Sequence, residues 1–299
     1  RLLDLTDRAE VSFCVDTAEG IRGASDFFAE REHEAPVLLE IDTGHRRTGV
    51  PFESDDEAVE LARLVNDSPG LRLAGILTHA GHGYHGPQSE DESETEALQR
   101  VAREERDRML AVANRLREAG VNGATPGELE ISVGSTPTMA AFGNRTENGF
   151  RVTEIRPGNY VFYDAMQVAL GAASLDDCAL TVFTTVVSRR RSGSGAERLY
   201  LDAGKKVLTT DTGYGTDGYG VLLYNAQHMR RHPHARITQL SEEHGWVKVP
   251  GGAAFGVGDR VRLVPNHACV VAGMADELHL VDGQNVTGTL NVDARGASR

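Results

Sequence analysis

Five short apolar runs punctuate the first half of the chain: VSFCVD (11–16), PVLLEID (36–42), LAGILTH (73–79), ELEISVG (128–134) and VTEIRPG (152–158). Each is rich in Val, Ile or Leu and closes on Asp, Gly or His. Runs of this kind suit strands buried on both faces of a parallel sheet. Between them, residues 18–31, 55–67 (after the cap signal ESDDE) and 89–119, ending at Gly120, read as helices. Alternating strands and helices predict a parallel α/β domain, either an open doubly wound sheet or a (β/α)8 barrel. Five such units are too few to close an eight-stranded barrel, and the chain opens inside a helix-like stretch. The expectation is therefore an open sheet or a sequence without its beginning.

From about residue 175 the pattern changes. LTVFTTVVSRR, RLYLDAGKKV, GYGVLLY, ARITQLSEEHGWVKV, GDRVRLVPNHACVVAG and DELHLVDG are strand-like stretches separated by turn residues. This predicts a second, mainly β domain with its boundary near GAASLDD (171–177), giving domains 1–172 and 173–299. RRSGSGAE (190–197) reads as a flexible hairpin loop.

Composition narrows the function classes. A chain of 299 residues with 40% hydrophobic content can build one large core or two ordinary ones. No apolar run reaches the roughly 18 residues of a membrane span, and RLLDLTDRAE is charged and unlike a signal peptide. Three cysteines far apart, Cys14, Cys178 and Cys269, make a poor disulfide framework and suit a reducing compartment, so a cytoplasmic location is expected. A net charge of −13, from 44 acidic against 31 basic residues, argues against nucleic acid as a partner. The basic residues include only three lysines, Lys205, Lys206 and Lys248. A salt-adapted surface and an arginine-biased genome both account for that bias.

Candidate chemistry sits after the predicted strands, where parallel α/β domains place their functional loops. These loops are TGHRRTGV with His45, Arg46 and Arg47; AGHGYHG with His82, Tyr84 and His85, just beyond His79; STPTM; and NYVFYD. GSTPT (134–138) and PGNY (157–160) suit a phosphate, because glycine allows close approach and hydroxyls at Ser135, Thr136 and Tyr160 add donors. The histidines of 79–85 read as polar lining in preference to a metal cage. In VPNHACVVAG (264–273), His267 and Cys269 are two apart and would share one face of an extended segment, which is either half of a metal site or a packing accident.

Taken in order, LLEIDTGHRRTGV, LAGILTHAGHGYH, EISVGSTPT, TEIRPGNYVFYDA, YLDAGKKVLTTDTG, SEEHG and VGDRVRLVPNHAC resemble the D-serine dehydratase and D-threonine aldolase family. These are fold-type III pyridoxal-phosphate enzymes that share the alanine racemase barrel. The resemblance runs from near residue 1 to about 285 and implies a (β/α)8 barrel plus a β domain, working as a homodimer on a D-amino acid. It assigns the phosphate to Gly134, Ser135 and Thr136 and to Gly158, Asn159 and Tyr160. It sets Arg47 against the cofactor ring, with His79 and Tyr84 as lining and Arg156 as a further ring candidate. It also makes His267 and Cys269 metal ligands, and thiolate with imidazole favours zinc over manganese or magnesium.

One departure stands out. The family's Schiff-base lysine belongs to a segment like RPHxKTHK on the first barrel strand, and no such segment occurs here. Lys205 and Lys206 fall on the β-domain DAGxK stretch instead, so the catalytic lysine is unassigned and the first strands are expected to be absent. The expected reaction is dehydration and deamination of a D-3-hydroxyamino acid such as D-serine. Retro-aldol cleavage of the D-threonine aldolase type is one alternative. A non-catalytic cofactor-binding fragment is another.

Overall fold

The computed structural model describes residues 2–6, 8–191, 197–225, 228–251 and 253–297. The hairpin loop expected at 190–197 falls largely on 192–196, outside them. The chain divides into two compact units, residues 1–157 and 158–299.

The first unit runs α1 (Leu2–Thr6), β1 (Phe13–Val15), α2 (Ala18–Ala29), β2 (Ala35–Asp42), β3 (Val50–Pro51), α3 (Asp55–Asp67), β4 (Leu71–Leu77), α4 (Glu94–Glu118), β5 (Glu130–Val133), α5 (Thr136–Met139) and β6 (Glu154–Ile155). Strands β1-β2-β4-β5-β6 pair in that order, all parallel, and β3 adds to the end of β2. Helix α4 begins at Glu94, later than the spacing predicts, because Ser93 and Glu96 close a capping box there and satisfy the first free amides. The core lies on one sheet face: Val37, Leu39 and Ile41 of β2, Leu73 and Ile76 of β4, and Ile131 and Val133 of β5 pack with Val65 of α3 and Met109, Leu110 and Leu116 of α4. Each such side chain contributes about 1.5–3 kcal/mol by leaving water. The runs are not apolar on both faces, since Glu40 and Asp42 of β2 are only half-buried.

All five strands point the same way, so their C-terminal ends lie along one edge. That edge carries the polar loops predicted to hold chemistry. Among the described residues no helix is long and apolar enough to cross a membrane.

The second unit contains α6 (Ala165–Ala169), β7 (Val182–Arg191), β8 (Glu197–Leu201), β9 (Val221–Asn225), β10 (His228–Arg231), β11 (Arg236–Leu240), β12 (Gly245–Val249), β13 (Arg260–Val264), α7 (Ala268–Met274), β14 (Glu277–Asp282) and β15 (Asn285–Asn291). Seven strands form an antiparallel sheet in the order β10-β9-β13-β7-β8-β12-β11, and β14 and β15 form a separate hairpin. Val186, Leu199, Leu201, Val247, Val261 and Leu263 build its core. Residues around α6 group with this unit because Ala165 and Met166 donate backbone hydrogen bonds to Pro265 and Asn266.

Candidate active site

At the end of β2, Asp42 shapes the next loop. Its two carboxylate oxygens accept the amides of Gly44 and Arg46, each at 2.8 Å, and Arg46 takes a left-handed φ of 57°. Gly49 closes the loop at φ 99°, where a Cβ would sit 2.8 Å from the Asp42 nitrogen. Arg47 is thereby carried to the exposed tip. Burial first, and then the Arg47 charge, push the His45 imidazole below its ordinary range. His79 shifts the same way, again chiefly through burial with Arg47 adding to it. Both rings are accordingly neutral near pH 7 and can donate or accept hydrogen bonds without carrying charge.

The loop after β4 packs its rings instead of aiming them at one point. His45 and His79 meet edge to face at 5.7 Å between centroids, His45 and His85 lie at 6.0 Å, and His79 and Tyr84 at 6.5 Å. Gly81 is what permits this, since a Cβ there would come within 2.4 Å of the His45 ring. Beside the loop lies a cleft of about 590 Å³ lined by Asp42, Arg46, His82, Glu104 and Arg108, among others. Burial drives the His82 pKa down to about 4.

The loop after β5 begins at Gly134, whose φ of 140° and approach to Arg156 leave no room for a side chain: a Cβ would lie 2.7 Å from the Arg156 nitrogen. Ser135 and Thr136 follow, both buried. His79 Nδ1 is 3.3 Å from the Gly134 carbonyl oxygen. Ser135 Oγ lies 3.0 Å from Thr138 Oγ1, which in turn lies 2.8 Å from Glu105 Oε1. Arg156 donates to Ser132 Oγ at 2.7 Å and to the Thr78 carbonyl, so its guanidinium ties β4, β5 and β6 together. The first unit thus gathers Arg47, His79, Tyr84, Gly134, Ser135, Thr136 and Arg156 at its strand ends.

In the second unit, Gly158 has φ −110° and open space where a Cβ would be, so nothing there demands glycine. Asn159 is buried and Tyr160 is about half exposed. Asp164 is fully buried and accepts three hydrogen bonds: from Asn159 Nδ2 at 2.5 Å, the Gln167 amide at 3.0 Å and the Ala268 amide at 2.9 Å. It therefore pins the 159–164 turn to the start of α7, where His267 is the cap residue and Cys269 lies in the first turn.

The segment holding His267 and Cys269 is not extended, as the alternation argument supposed; only His267 has an extended backbone, and Cys269 is helical. The two side chains meet nonetheless. Their mutual hydrogen bond is the largest influence on both, raising the His267 pKa to about 9 and lowering that of Cys269, which favours imidazolium beside thiolate. Asp211 Oδ2 sits 2.7 Å from His267 Nδ1, and Asn159 Nδ2 donates to Cys269 Sγ at 3.6 Å.

A zinc ion that displaced the His267 proton would meet a thiolate and an imidazole backed by a carboxylate, a donor pair suited to it, and the exposed Cys269 is open to it. Among the described residues no three His, Cys, Asp or Glu side chains are placed to hold a metal, so a metal on this pair would keep positions open to water or substrate. Glu105, Asp164 and Asp211 escaped the sequence reading. Each acts across a long sequence separation; Asp164 and Asp211 stand in the segments NYVFYDA and LTTDTG that carry the resemblance, but nothing in those segments singles out the carboxylate, and Glu105 stands in no quoted segment.

Comparison with known proteins follows the same division. The family model described as "Alanine racemase, N-terminal domain" matches residues 1–165, and that described as "Putative serine dehydratase domain" matches residues 179–281. The chain is 33% identical over 272 residues to D-threo-3-hydroxyaspartate dehydratase of Delftia sp. (strain HT23), covering 87% of this chain and 66% of that protein. It is 31% identical to D-threonine aldolase of Arthrobacter sp, covering 97% of this chain and 69% of the relative. It is 27% identical to D-serine dehydratase of Dictyostelium discoideum, covering 93% and 69%. The chain thus spans roughly two thirds of the length of the relatives it matches. The solved structure of the Delftia enzyme superposes with a TM-score of 0.81 at 30% identity, over 97% of this chain and 74% of that one. Mutants of that enzyme have also been solved in which a histidine and a cysteine two positions apart are each replaced by alanine, the cysteine mutant in the metal-free form. The spacing is that of His267 and Cys269.

Proposed function

This chain belongs to the D-serine dehydratase and D-threonine aldolase family with its alanine racemase-like barrel, and from that premise we propose that it serves a pyridoxal-phosphate- and zinc-dependent lyase acting on a D-3-hydroxyamino acid. The observation that carries the reading is the paired imidazole and thiol of His267 and Cys269, buttressed by Asp211 and Asn159. Pyridoxal phosphate, when bound, supplies an electron sink for the substrate's Cα–H bond. A zinc ion on His267 and Cys269 would act as a Lewis acid toward the β-hydroxyl.

The protein's own residues supply binding and orientation. Gly134, Ser135 and Thr136 would take the phosphate, an assignment extended to Gly158, Asn159 and Tyr160 by the family resemblance. Neutral His79 and Tyr84 would line the ring, and Arg47, permanently charged, would limit protonation of a pyridine nitrogen facing it. Arg156 is engaged with Ser132 and Thr78, which suits a supporting role. No lysine lies in the first unit, so what that unit contributes to the cofactor is non-covalent.

In the overall reaction the α-proton and the β-hydroxyl leave as water, and hydrolysis releases ammonia and a keto acid. Cleavage of the Cα–Cβ bond to glycine and an aldehyde is the second reading, favoured by the likeness to D-threonine aldolase. We further propose a homodimeric, cytoplasmic enzyme, as the family resemblance and the cysteine usage suggest.

The test is incubation with pyridoxal phosphate, zinc and D-serine, D-threonine or D-threo-3-hydroxyaspartate. It is run with and without a small primary amine standing in for the family's lysine. Keto acid and ammonia are expected. Glycine would select the aldolase reading, and no binding of the cofactor would leave the lyase reading without support.

A further inference from the structure

Glu105 is fully buried on α4, and the cofactor reading gives it no task. Its Oε1 lies 2.8 Å from Thr138 Oγ1, its Oε2 has no hydrogen-bond partner among the described residues, and Thr138 Oγ1 is 3.0 Å from Ser135 Oγ. Three oxygens therefore run in a chain from the interior of α4 to the turn assigned to the phosphate.

Such a chain has a direction. A hydroxyl carries one hydrogen, and an ionised carboxylate can only accept. With Glu105 ionised, Thr138 must donate to it, Ser135 donates to Thr138, and Ser135 then offers only lone pairs outward. With Glu105 protonated, the carboxylic acid donates to Thr138, Thr138 donates to the Ser135 carbonyl oxygen 3.2 Å away, and the Ser135 hydrogen is free to point at an anion.

We propose that Glu105, Thr138 and Ser135 form a directional hydrogen-bond relay, with Glu105 as a positioning residue that makes Ser135 a donor to a phosphate seated on the Gly134–Thr136 turn. The inference rests on the assignment of that turn to the cofactor's phosphate. Burial raises the Glu105 pKa to about 7, against smaller opposing pulls from Thr138, the Arg156 charge and the Gly134 backbone. From the loop after β4, neutral His79 reaches the Gly134 carbonyl, and on α4 itself the adjacent Glu104 pairs with His82, Arg100 and Arg108 instead. The relay thus reverses within the physiological range.

The probe is pyridoxal phosphate, with phosphate-free pyridoxal as control, titrated into the wild-type chain and Glu105→Gln at pH 6 and pH 8. A glutamine amide does not titrate and can donate to Thr138 at either pH, so the ratio of the two affinities cancels the ligand's own ionisation. Similar affinities are expected at pH 6, with wild type about tenfold weaker than Glu105→Gln at pH 8, the loss of one charge-assisted hydrogen bond. Thr138→Val should bind weakly and remove the difference. Equal ratios at both pH values, or the same trend with pyridoxal, overturn the relay alone. No binding of pyridoxal phosphate by either protein at pH 6 overturns both the relay and the cofactor assignment.

Discussion

Asp211 Oδ2 lies 2.7 Å from His267 Nδ1, across 56 positions of sequence, and this contact commits one face of the imidazole and leaves Nε2 for another partner. A carboxylate in that position orients a ligating histidine and raises its basicity. Asp211→Ala should lower zinc affinity by about 10–100-fold, and Asp211→Asn, whose amide oxygen still accepts, by less. Competition with a chromophoric chelator measures both, and unchanged affinity in the alanine variant would remove Asp211 from the metal site.

Cys269 supplies the thiolate. Cys269→Ala should leave a chain that binds no stoichiometric zinc after desalting yet still binds pyridoxal phosphate, because Cys269 is not among the residues assigned to the phosphate, only a neighbour of one of them, Asn159. Metal analysis and a cofactor titration on one sample test this pair of outcomes.

Asp164 is a buried carboxylate with three donors, Asn159 Nδ2 and the amides of Gln167 and Ala268. Alanine there strands the two backbone amides away from water and leaves Asn159 Nδ2 with Cys269 Sγ alone. Asp164→Ala should cost about 3 kcal/mol, read as a fall in the urea midpoint, and should loosen α7 beneath Cys269.

Stability should also depend on pH through Glu105. Its folded pKa, held at about 7 by burial, stands above its ordinary value of 4.5. The folded chain therefore binds a proton that the unfolded chain has released. Stability is greatest below pH 4.5 and falls as pH rises from there through 7, by on the order of 3 kcal/mol from this group. Glu105→Gln should remove that slope, and its advantage over wild type in chemical denaturation should grow between pH 5 and pH 8. A constant difference across that range would show that the carboxyl does not titrate there.

Gly134 combines φ 140° with backbone contact to Arg156. Gly134→Ala should cost about 1–3 kcal/mol and weaken pyridoxal phosphate binding at least tenfold, whereas Gly158→Ala, with open space at its Cβ, should leave stability within about 0.5 kcal/mol of wild type. Paired denaturation and titration curves separate the two glycines.

The sequence alone determined the features that depend on near neighbours. The period of apolar residues announced parallel α/β units and then a β domain, and glycine beside hydroxyls marked the strand-end turn at Gly134–Thr136. The names His267 and Cys269 were legible too, although the conformation assumed for them was wrong: α7 starts between them, under a cap and a buried Asp164 far away in sequence. Only the tertiary structure decided which acids matter. Glu105 reads as one more charge on a helix dense with them until Thr138 meets it, and Asp211 is a loop residue until His267 arrives. Composition and periodicity carry information about which face of an element is buried; what lies against that face is set by chain crossings of 33 to 104 residues, and those crossings turn ordinary carboxylates into parts of a site.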